Sequence, residues 1–221
     1  QLTLSSHLAE LDAIMSALSP DAPAILIGHS WGAMLASAYL GRYPDRVAKA
    51  VLIEPGFLSA KEADDFLARM NSMTRTPGFL WTMLVSGFRA QHVRGPDPEA
   101  SRDFLYGQVV HAFASHPSNP YHCPGETFDS PAWRFGARAS KAVLAQASRD
   151  DLDSLGAVST FTEPVLFLSG SCNDWIGAPL QKRHVELFSN ARHIDIPGAG
   201  HDVIDDQPEP ALAALRVFLK T

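Results

Sequence analysis

The stretch from Gly28 to Gly32, with the sequence GHSWG, joins a short apolar run to an Ala-rich segment of helical pattern. A G-x-S-x-G pattern in this setting is typical of a sharp strand-to-helix turn that presents a serine hydroxyl above the edge of a sheet. Such a hydroxyl can attack the carbonyl carbon of an ester or amide, and the N-terminus of the following helix can stabilise the oxyanion that develops. We therefore predict that Ser30 is a nucleophile. The alternative is a small-residue turn that only packs a helix on a sheet.

A serine nucleophile needs a base, and the base needs an orienting acid. His201, in IPGAGHD, follows the last predicted strand, so its loop can reach back over the sheet edge. Asp174, in LSGSCNDWIG, follows the third predicted strand, and Glu54, in LIEPG, ends the second one. In folds of this kind the partners follow in the order serine, acid, histidine. We prefer Asp174 as the acid, with Glu54 as the alternative.

No cofactor is required by this chemistry, and we expect none. His116, His122 and Cys123 are close in sequence, but their spacing matches no standard zinc pattern. We therefore expect no metal site.

Four short apolar runs alternate with segments of helical periodicity, which predicts an α/β fold with a mainly parallel sheet. The predicted strands are PAILIG, VAKAVLIEP, EPVLFLSG and ARHIDIPG. About 100 residues of helical character separate the second strand from the third, far more than a simple crossover needs. We interpret this insertion as a helical lid. The predicted organisation is a core part at 1–56 with the nucleophile, a lid at 57–159, and a core part at 160–221 with the acid and the histidine.

The composition is that of an ordinary globular protein: 46% of the 221 residues are hydrophobic and 19% are charged. The net charge of −6 argues against a nucleic acid or an anionic membrane as partner. No apolar run approaches the roughly 20 residues that cross a bilayer, and no leader is visible. Two cysteines that are far apart in sequence, Cys123 and Cys172, do not make a disulfide framework. We expect a reducing, cytoplasmic location.

The chain resembles the α/β-hydrolase family in three motifs, GHSWG, PVLFLSGSCND and IPGAGHD. Within that family it is most similar to the prolyl-aminopeptidase-like branch, through GHSWGAMLASAYLGRYPDRVAKAVLIEPG and the lid after it. The resemblance implies Ser30 as nucleophile, His201 as base, Asp174 as acid and the Trp31 N–H as an oxyanion donor. The family usually has Gly-x-x-Asp in the acid loop, whereas Gly170 and Asp174 are one residue further apart. For this reason Glu54 remains the alternative acid.

The family also has several strands before the nucleophile strand, with a His-Gly-type motif that supplies a second oxyanion donor. Only one helix precedes AILIGHS here. We expect that N-terminal strands are missing from this chain. The sheet edge next to the nucleophile strand should then be open.

The function predicted from these observations is a serine hydrolase that cleaves a small amide or ester through an acyl-enzyme on Ser30. An aminopeptidase needs a carboxylate for the free α-amine of its substrate, and Glu126 in the lid is the candidate. An esterase needs an apolar pocket, and the candidates to line it are Trp31, Trp81, Trp133 and Trp175. The expected partner is thus a small molecule or a peptide. The alternative function is a non-catalytic binding or regulatory protein on the same scaffold.

Overall fold

The computed structural model describes residues 2–116, 119–126, 136–139, 142 and 147–220. The strands are β1 (Ala24–His29), β2 (Val47–Ile53), β3 (Val165–Gly170) and β4 (Ala191–Ile196). The helices of the first half are α1 (Leu4–Leu18), α2 (Trp31–Arg42), α3 (Ala60–Thr74), α4 (Pro77–Ala90) and α5 (Ala100–Ala114). Those of the second half are α6 (Arg149–Ser154), α7 (Ala178–Val185), α8 (Val203–Asp206) and α9 (Pro208–Lys220). A 3₁₀ turn at Pro44–Arg46 leads into β2.

The four strands form one parallel sheet in the order β1-β2-β3-β4. The predicted α/β class and the four predicted strands are therefore confirmed. Because β3 is covered on both faces, every residue of it is buried, which explains its continuous apolar sequence. Parallel strands all end at the same edge, so the loops after β1, β2, β3 and β4 meet there.

Helices cover both faces of the sheet, and the strands contribute side chains to two separate hydrophobic cores. On one face Ala50, Leu52 and Phe167 pack with α1 and α2. On the opposite face the alternate strand residues pack against α9. Those residues are Val51, Ile53, Leu166, Leu168 and Ile196, which contact Ala211, Leu215 and Phe218.

The segment between β2 and β3 holds helices α3, α4, α5 and α6, in line with the predicted helical insertion. The side chain of Ser59 accepts a hydrogen bond from the Glu62 N–H and so caps α3. Residues 127–135 of the insertion lie outside the described residues. The bounds 57–159 for a lid stay a prediction.

Strand β1, which leads to Ser30, lies at the edge of the sheet in the described part of the chain, and it pairs with β2. Ile25 and Ile27 are about half exposed on it. An apolar edge strand of this kind is a ready site for pairing with further strands. None of the described helices is long and apolar enough to cross a membrane.

A buried histidine ties the start of the insertion to α7. His184 is almost fully buried, and its Nε2 lies 3.0 Å from the Oε2 of Glu62. The same carboxylate oxygen accepts a hydrogen bond of 2.8 Å from the Leu58 N–H. Burial alone would raise the pKa of Glu62, but the hydrogen bonds from His184 and Leu58 outweigh it, and the pKa lies below its ordinary value of 4.5.

Because that pKa is depressed in the folded protein, ionised Glu62 stabilises the fold above the ordinary pKa of 4.5, and this is lost as the pH falls through the folded value. We expect Glu62→Gln to lower the free energy of unfolding by about 1–3 kcal/mol near neutral pH. The difference from the unsubstituted protein should shrink as the pH falls below 4.5. Urea unfolding at a series of pH values measures this difference in the free energy of unfolding.

The matched control is Glu10→Gln, which removes a carboxylate from an exposed pair with His7 at 3.5 Å. Exposed pairs contribute little, so this variant should unfold like the unsubstituted protein throughout the pH series. If Glu62→Gln and Glu10→Gln behave alike, the buried pair does not stabilise the fold.

Candidate active site

Ser30 occupies a strained turn between β1 and α2. Its φ of 53° and ψ of −119° are unusual for a residue other than glycine. Its N–H donates to the Ile53 carbonyl at 2.9 Å, and its carbonyl accepts from the N–H groups of Ala33 and Met34. The Ser30 side chain forms no capping hydrogen bond to α2, so the hydroxyl is not held by the helix that it starts.

The two glycines of GHSWG have different roles. A Cβ atom added at Gly28 would stand 2.4 Å from the Gly32 carbonyl oxygen, a distance that no real side chain tolerates. A Cβ atom added at Gly32 would meet nothing within 4 Å. Close backbone approach therefore requires glycine at position 28 but not at position 32.

Glu54 is the first residue after β2 and is fully buried, with 0% of its surface exposed. Its Oε1 accepts from the Gly170 N–H at 2.8 Å, and its Oε2 accepts from Asn173 Nδ2 at 2.7 Å. The same Oε2 lies 2.7 Å from Nδ1 of His201. A buried carboxylate with this set of donors is held in one orientation.

The contact with Glu54 also fixes the tautomer of His201. A carboxylate accepts hydrogen bonds, so Nδ1 of His201 carries a proton and Nε2 of the neutral ring is left as a base. Ser30 and Glu54 are the non-glycine residues with positive φ in the described part of the chain. Such conformations cost about 1–3 kcal/mol each and are concentrated at functional sites.

Asp174, the acid preferred from the sequence, is exposed and is held by its backbone. Its N–H donates to the Pro120 carbonyl at 2.9 Å, and its carbonyl accepts from Arg69 at 3.3 Å. The structure brings Glu54, not Asp174, to His201, so the preference between the two acids is corrected. The reason lies in the loop after β3, where Asn173 stands at the Gly-x-x-Asp spacing from Gly170 and donates to Glu54.

Aromatic rings surround His201. Tyr121 stacks on the His201 ring at 4.8 Å with an angle of 19° between the planes, and His29 lies 4.7 Å away. Trp175 stacks on Tyr121 at 4.9 Å, and Phe66 of α3 stacks on Trp175 at 4.5 Å. Trp175 thus belongs to a wall of stacked rings, where the sequence predicted an apolar lining residue.

The segment that carries Tyr121 is anchored to the core. Cys123 and Cys172 form a disulfide that joins this segment to the loop after β3. The Tyr121 carbonyl accepts from the His201 N–H at 2.7 Å. The two cysteines are therefore paired although they are far apart in sequence, and the argument from them for a reducing compartment no longer holds. Sequence reasoning failed here because the two cysteines are 49 residues apart and meet only through the return of the insertion.

Burial and neighbouring charges adjust the groups around the site. Burial raises the pKa of the Tyr121 hydroxyl well above its usual range, and the charge of Glu54 adds to this. Burial also lowers the pKa of His29, with a further contribution from nearby His201. His29 is therefore neutral at pH 7, and its Nε2 lies 2.9 Å from the His201 carbonyl, to which it donates.

Glu126, the predicted ligand of a substrate amine, lies beside His122, with 3.3 Å between its Oε2 and the ring Nδ1. Burial raises the pKa of Glu126, and the negative charges of Asp206 and Asp202 raise it further. These effects weaken it as a partner for an ammonium group. Among the described residues, no group of three or more His, Cys, Asp or Glu side chains has the arrangement to hold a metal ion.

The Trp31 N–H is at the first position of α2, where helix geometry leaves an amide without a partner inside the helix. Its role as an oxyanion donor stays a prediction. Asn173 and Tyr121 are the site residues that sequence reasoning missed. The Gly-x-x-Asn spacing is a signal from which Asn173 could have been found, whereas nothing in the sequence around Tyr121 indicates its stacking on His201.

Comparison with known proteins places this fold among the hydrolases. The (lyso)-N-acylphosphatidylethanolamine lipase of Bos taurus is 28% identical over 204 residues, which cover 83% of this chain and 55% of the lipase. The 2-(acetamidomethylene)succinate hydrolase of Mesorhizobium japonicum is 26% identical over 200 residues, covering 89% of this chain and 64% of the hydrolase. The chain thus spans between about half and two thirds of the length of these relatives.

Among solved structures, a thermophilic esterase from Thermogutta terrifontis superposes with a TM-score of 0.56 at 21% identity. The superposition covers 99% of this chain and 72% of the esterase. This likeness concerns the fold. The sequence model of the α/β-hydrolase fold matches residues 2–208, and the chain belongs to the α/β-hydrolase family.

Proposed function

We propose that this protein is a serine hydrolase that cleaves a carboxylic ester or an amide through an acyl-enzyme on Ser30. The observation that carries the proposal is the 2.7 Å contact between Nδ1 of His201 and the fully buried carboxylate of Glu54. A buried acid that orients a histidine is one half of the arrangement that activates a hydroxyl nucleophile, and Ser30, on its strained turn, is the proposed other half. The hydrolases and lipases among the relatives support the same chemistry.

In the proposed reaction, the Ser30 hydroxyl oxygen attacks the carbonyl carbon of the substrate, and Nε2 of His201 takes the hydroxyl proton. Glu54 stabilises the positive charge that then develops on the ring. The Trp31 N–H donates to the oxyanion. As the tetrahedral intermediate collapses, the bond to the leaving group breaks and His201 returns its proton to the departing alcohol or amine. Water, activated by His201 in the same way, then releases the acid from Ser30.

An ester or a simple amide fits the site better than the N-terminus of a peptide. Glu126 is paired with His122, and its raised pKa leaves it a weaker partner for an α-amine. The wall formed by Tyr121 and Trp175 provides an apolar surface beside His201. The prolyl-aminopeptidase-like assignment stays a prediction, and loss of aminopeptidase activity in Glu126→Gln would support it.

Labelling with a fluorophosphonate tests the proposal, because this reagent forms a covalent bond with an activated serine hydroxyl. We expect one adduct, and peptide mass spectrometry should place it on Ser30. Absence of any adduct on a folded protein would instead favour a binding protein on a hydrolase scaffold.

A second oxyanion donor is expected from a loop after an earlier strand, because no His-Gly-type motif lies upstream of Ser30 in this sequence. Loss of one donor typically costs about 10²–10³-fold in rate. We therefore predict that a form extended by N-terminal strands that pair with β1 turns over about 10²–10³-fold faster than residues 1–221 alone. Turnover of an activated ester by the two purified forms measures this.

The outcome against this prediction is equal turnover by the two forms. Another group within residues 1–221 would then supply the second donor. Light scattering on both forms gives an independent readout, because added strands should cover Ile25 and Ile27 and reduce self-association.

A further inference from the structure

Helix α4 exposes a continuous apolar face. Four large side chains on it are between 59% and 67% exposed: Leu80, Trp81, Leu84 and Phe88. Their spacing of three, four and seven or eight residues places them on one side of the helix. The opposite side is covered, since Ser86 and Ala90 are buried. Contiguous exposed apolar patches mark interaction sites on globular proteins.

The charges in the sequence that contains this helix have a single sign. Residues 66–96 contain four arginines and no aspartate, glutamate or lysine, although the whole chain has a net charge of −6. Arg75 precedes the helix, Arg89 lies in its last turn, and Arg94 comes after it. The apolar face is therefore bounded by positive charge at both ends, over a helix of about 21 Å.

We propose that this face of α4 docks onto an anionic lipid–water interface. Helices that lie in the plane of a membrane surface bury Trp, Phe and Leu in the headgroup region while basic residues contact anionic lipids. The face of α4 has that composition, and its side chains project from a convex helix rather than lining a groove. The net charge alone predicted no membrane partner, but it hides the uneven distribution of charge along the chain.

Charge also argues against a second copy as the occupant. In a symmetric dimer the same patch faces itself, so the arginines around α4 would face the same arginines of the partner. Such like-charge contacts are unfavourable. An anionic surface, in contrast, complements every charge in residues 66–96.

Vesicle flotation tests the proposal. The unsubstituted protein should float with vesicles made from equal parts of phosphatidylcholine and phosphatidylglycerol, and it should bind vesicles of phosphatidylcholine alone much more weakly. The variant Trp81→Ser/Leu84→Ser should lose at least about tenfold in the partition coefficient, because burying each of these side chains contributes about 1.5–3 kcal/mol. Arg89→Gln should lose about fivefold, from about 1 kcal/mol per basic residue near an anionic surface.

The matched control is Leu18→Ser/Val217→Ser. It removes two apolar side chains that are 81% and 60% exposed on α1 and α9, outside α4. This variant should bind the anionic vesicles like the unsubstituted protein. Circular dichroism and the thermal midpoint check that every variant is folded, which is expected because all the substituted positions are exposed.

Four results would overturn the proposal. These are no binding to anionic vesicles, equal binding to both kinds of vesicle, equal losses in the control and α4 variants, and vesicle binding unaffected by either α4 variant. If the protein instead forms a dimer that the α4 substitutions convert to a monomer, the face belongs to a second copy. Flotation does not measure catalysis, so the result is independent of whether Ser30 is a nucleophile.

Discussion

Replacement of Ser30 by alanine is expected to lower turnover by about 10⁴–10⁶-fold and to abolish labelling by a fluorophosphonate. The alanine methyl cannot attack a carbonyl carbon, so the acyl-enzyme does not form. The fold should be unaffected, since the backbone contacts that hold the turn, from the Ser30 N–H to Ile53 and from Ala33 and Met34 to the Ser30 carbonyl, involve no side-chain atom. Initial rates with an activated ester and the thermal midpoint measure the two effects separately.

Ser171→Ala is the matched control. Ser171 directly follows β3, as Ser30 follows β1, and its N–H donates in the same manner to the neighbouring strand, at the Ile196 carbonyl. Its hydroxyl accepts from the Gly198 N–H at 2.9 Å, so the substitution removes a local hydrogen bond of about 1 kcal/mol. Activity should be retained. Turnover by Ser30→Ala at the level of this control would end the serine hydrolase proposal.

The fold could be predicted largely from local sequence, because its strands are short apolar runs and the two central ones, β2 and β3, are largely buried. β2 and β3 have no other stable location than the interior of a sheet between helices, and the G-x-S-x-G turn requires a helix directly after β1. The position of His201 after the last strand was also predictable from chain order. These are properties of neighbouring residues, which a sequence displays directly.

The identity of the acid could not be predicted in the same way. Both Glu54 and Asp174 end up near strand ends at one edge of the sheet, and spacing alone does not tell which carboxylate turns inward. The decision depends on Gly170 and Asn173, which lie 116 and 119 residues from Glu54 and supply the hydrogen bonds that its buried carboxylate needs. Such contacts appear only in three dimensions.

The orientation of helix α4 in the insertion could not be predicted from the sequence either. Helical periodicity in residues 77–90 predicts a helix with an apolar side, and the usual inference is that this side faces the core. In the structure Trp81 and Leu84 face outward, and the fully buried positions of α4 are Ser86 and Ala90. A periodic pattern shows which side of a helix is apolar, but it does not show what that side packs against.

Glu54→Gln is expected to lower turnover by about 10³–10⁴-fold, whereas Asp174→Asn should leave it nearly unchanged. The amide that replaces the Glu54 carboxylate presents either an N–H₂ group or a carbonyl oxygen to His201, and the N–H₂ group favours the tautomer with its proton on Nε2. That ring cannot accept the Ser30 proton. Asp174 is exposed and held by its backbone contacts to Pro120 and Arg69, so loss of its charge changes none of the described contacts of His201.

Stability must be separated from catalysis in this comparison, because Glu54 is buried and its neighbours lose a charged acceptor. The free energy of unfolding of Glu54→Gln should fall by about 1–3 kcal/mol, and rates are therefore measured where the variant is fully folded. Asn173→Ala serves as a second reference. It removes one donor to Glu54 but leaves the carboxylate beside His201, so it should cost stability of the same order and much less turnover than Glu54→Gln.

The reverse ranking, with Asp174→Asn inactive and Glu54→Gln active, would assign the orienting role to Asp174. It would require the loop after β3 to turn its exposed carboxylate toward His201, and the disulfide between Cys123 and Cys172 would have to accommodate that change. Equal and small losses in both variants would mean that neither carboxylate orients the ring. The 2.7 Å contact from Glu54 favours a large loss of turnover in Glu54→Gln and a small one in Asp174→Asn. The Glu54 carboxylate is fully buried and bound by three donors, so it has one available position, and that position is against Nδ1 of His201.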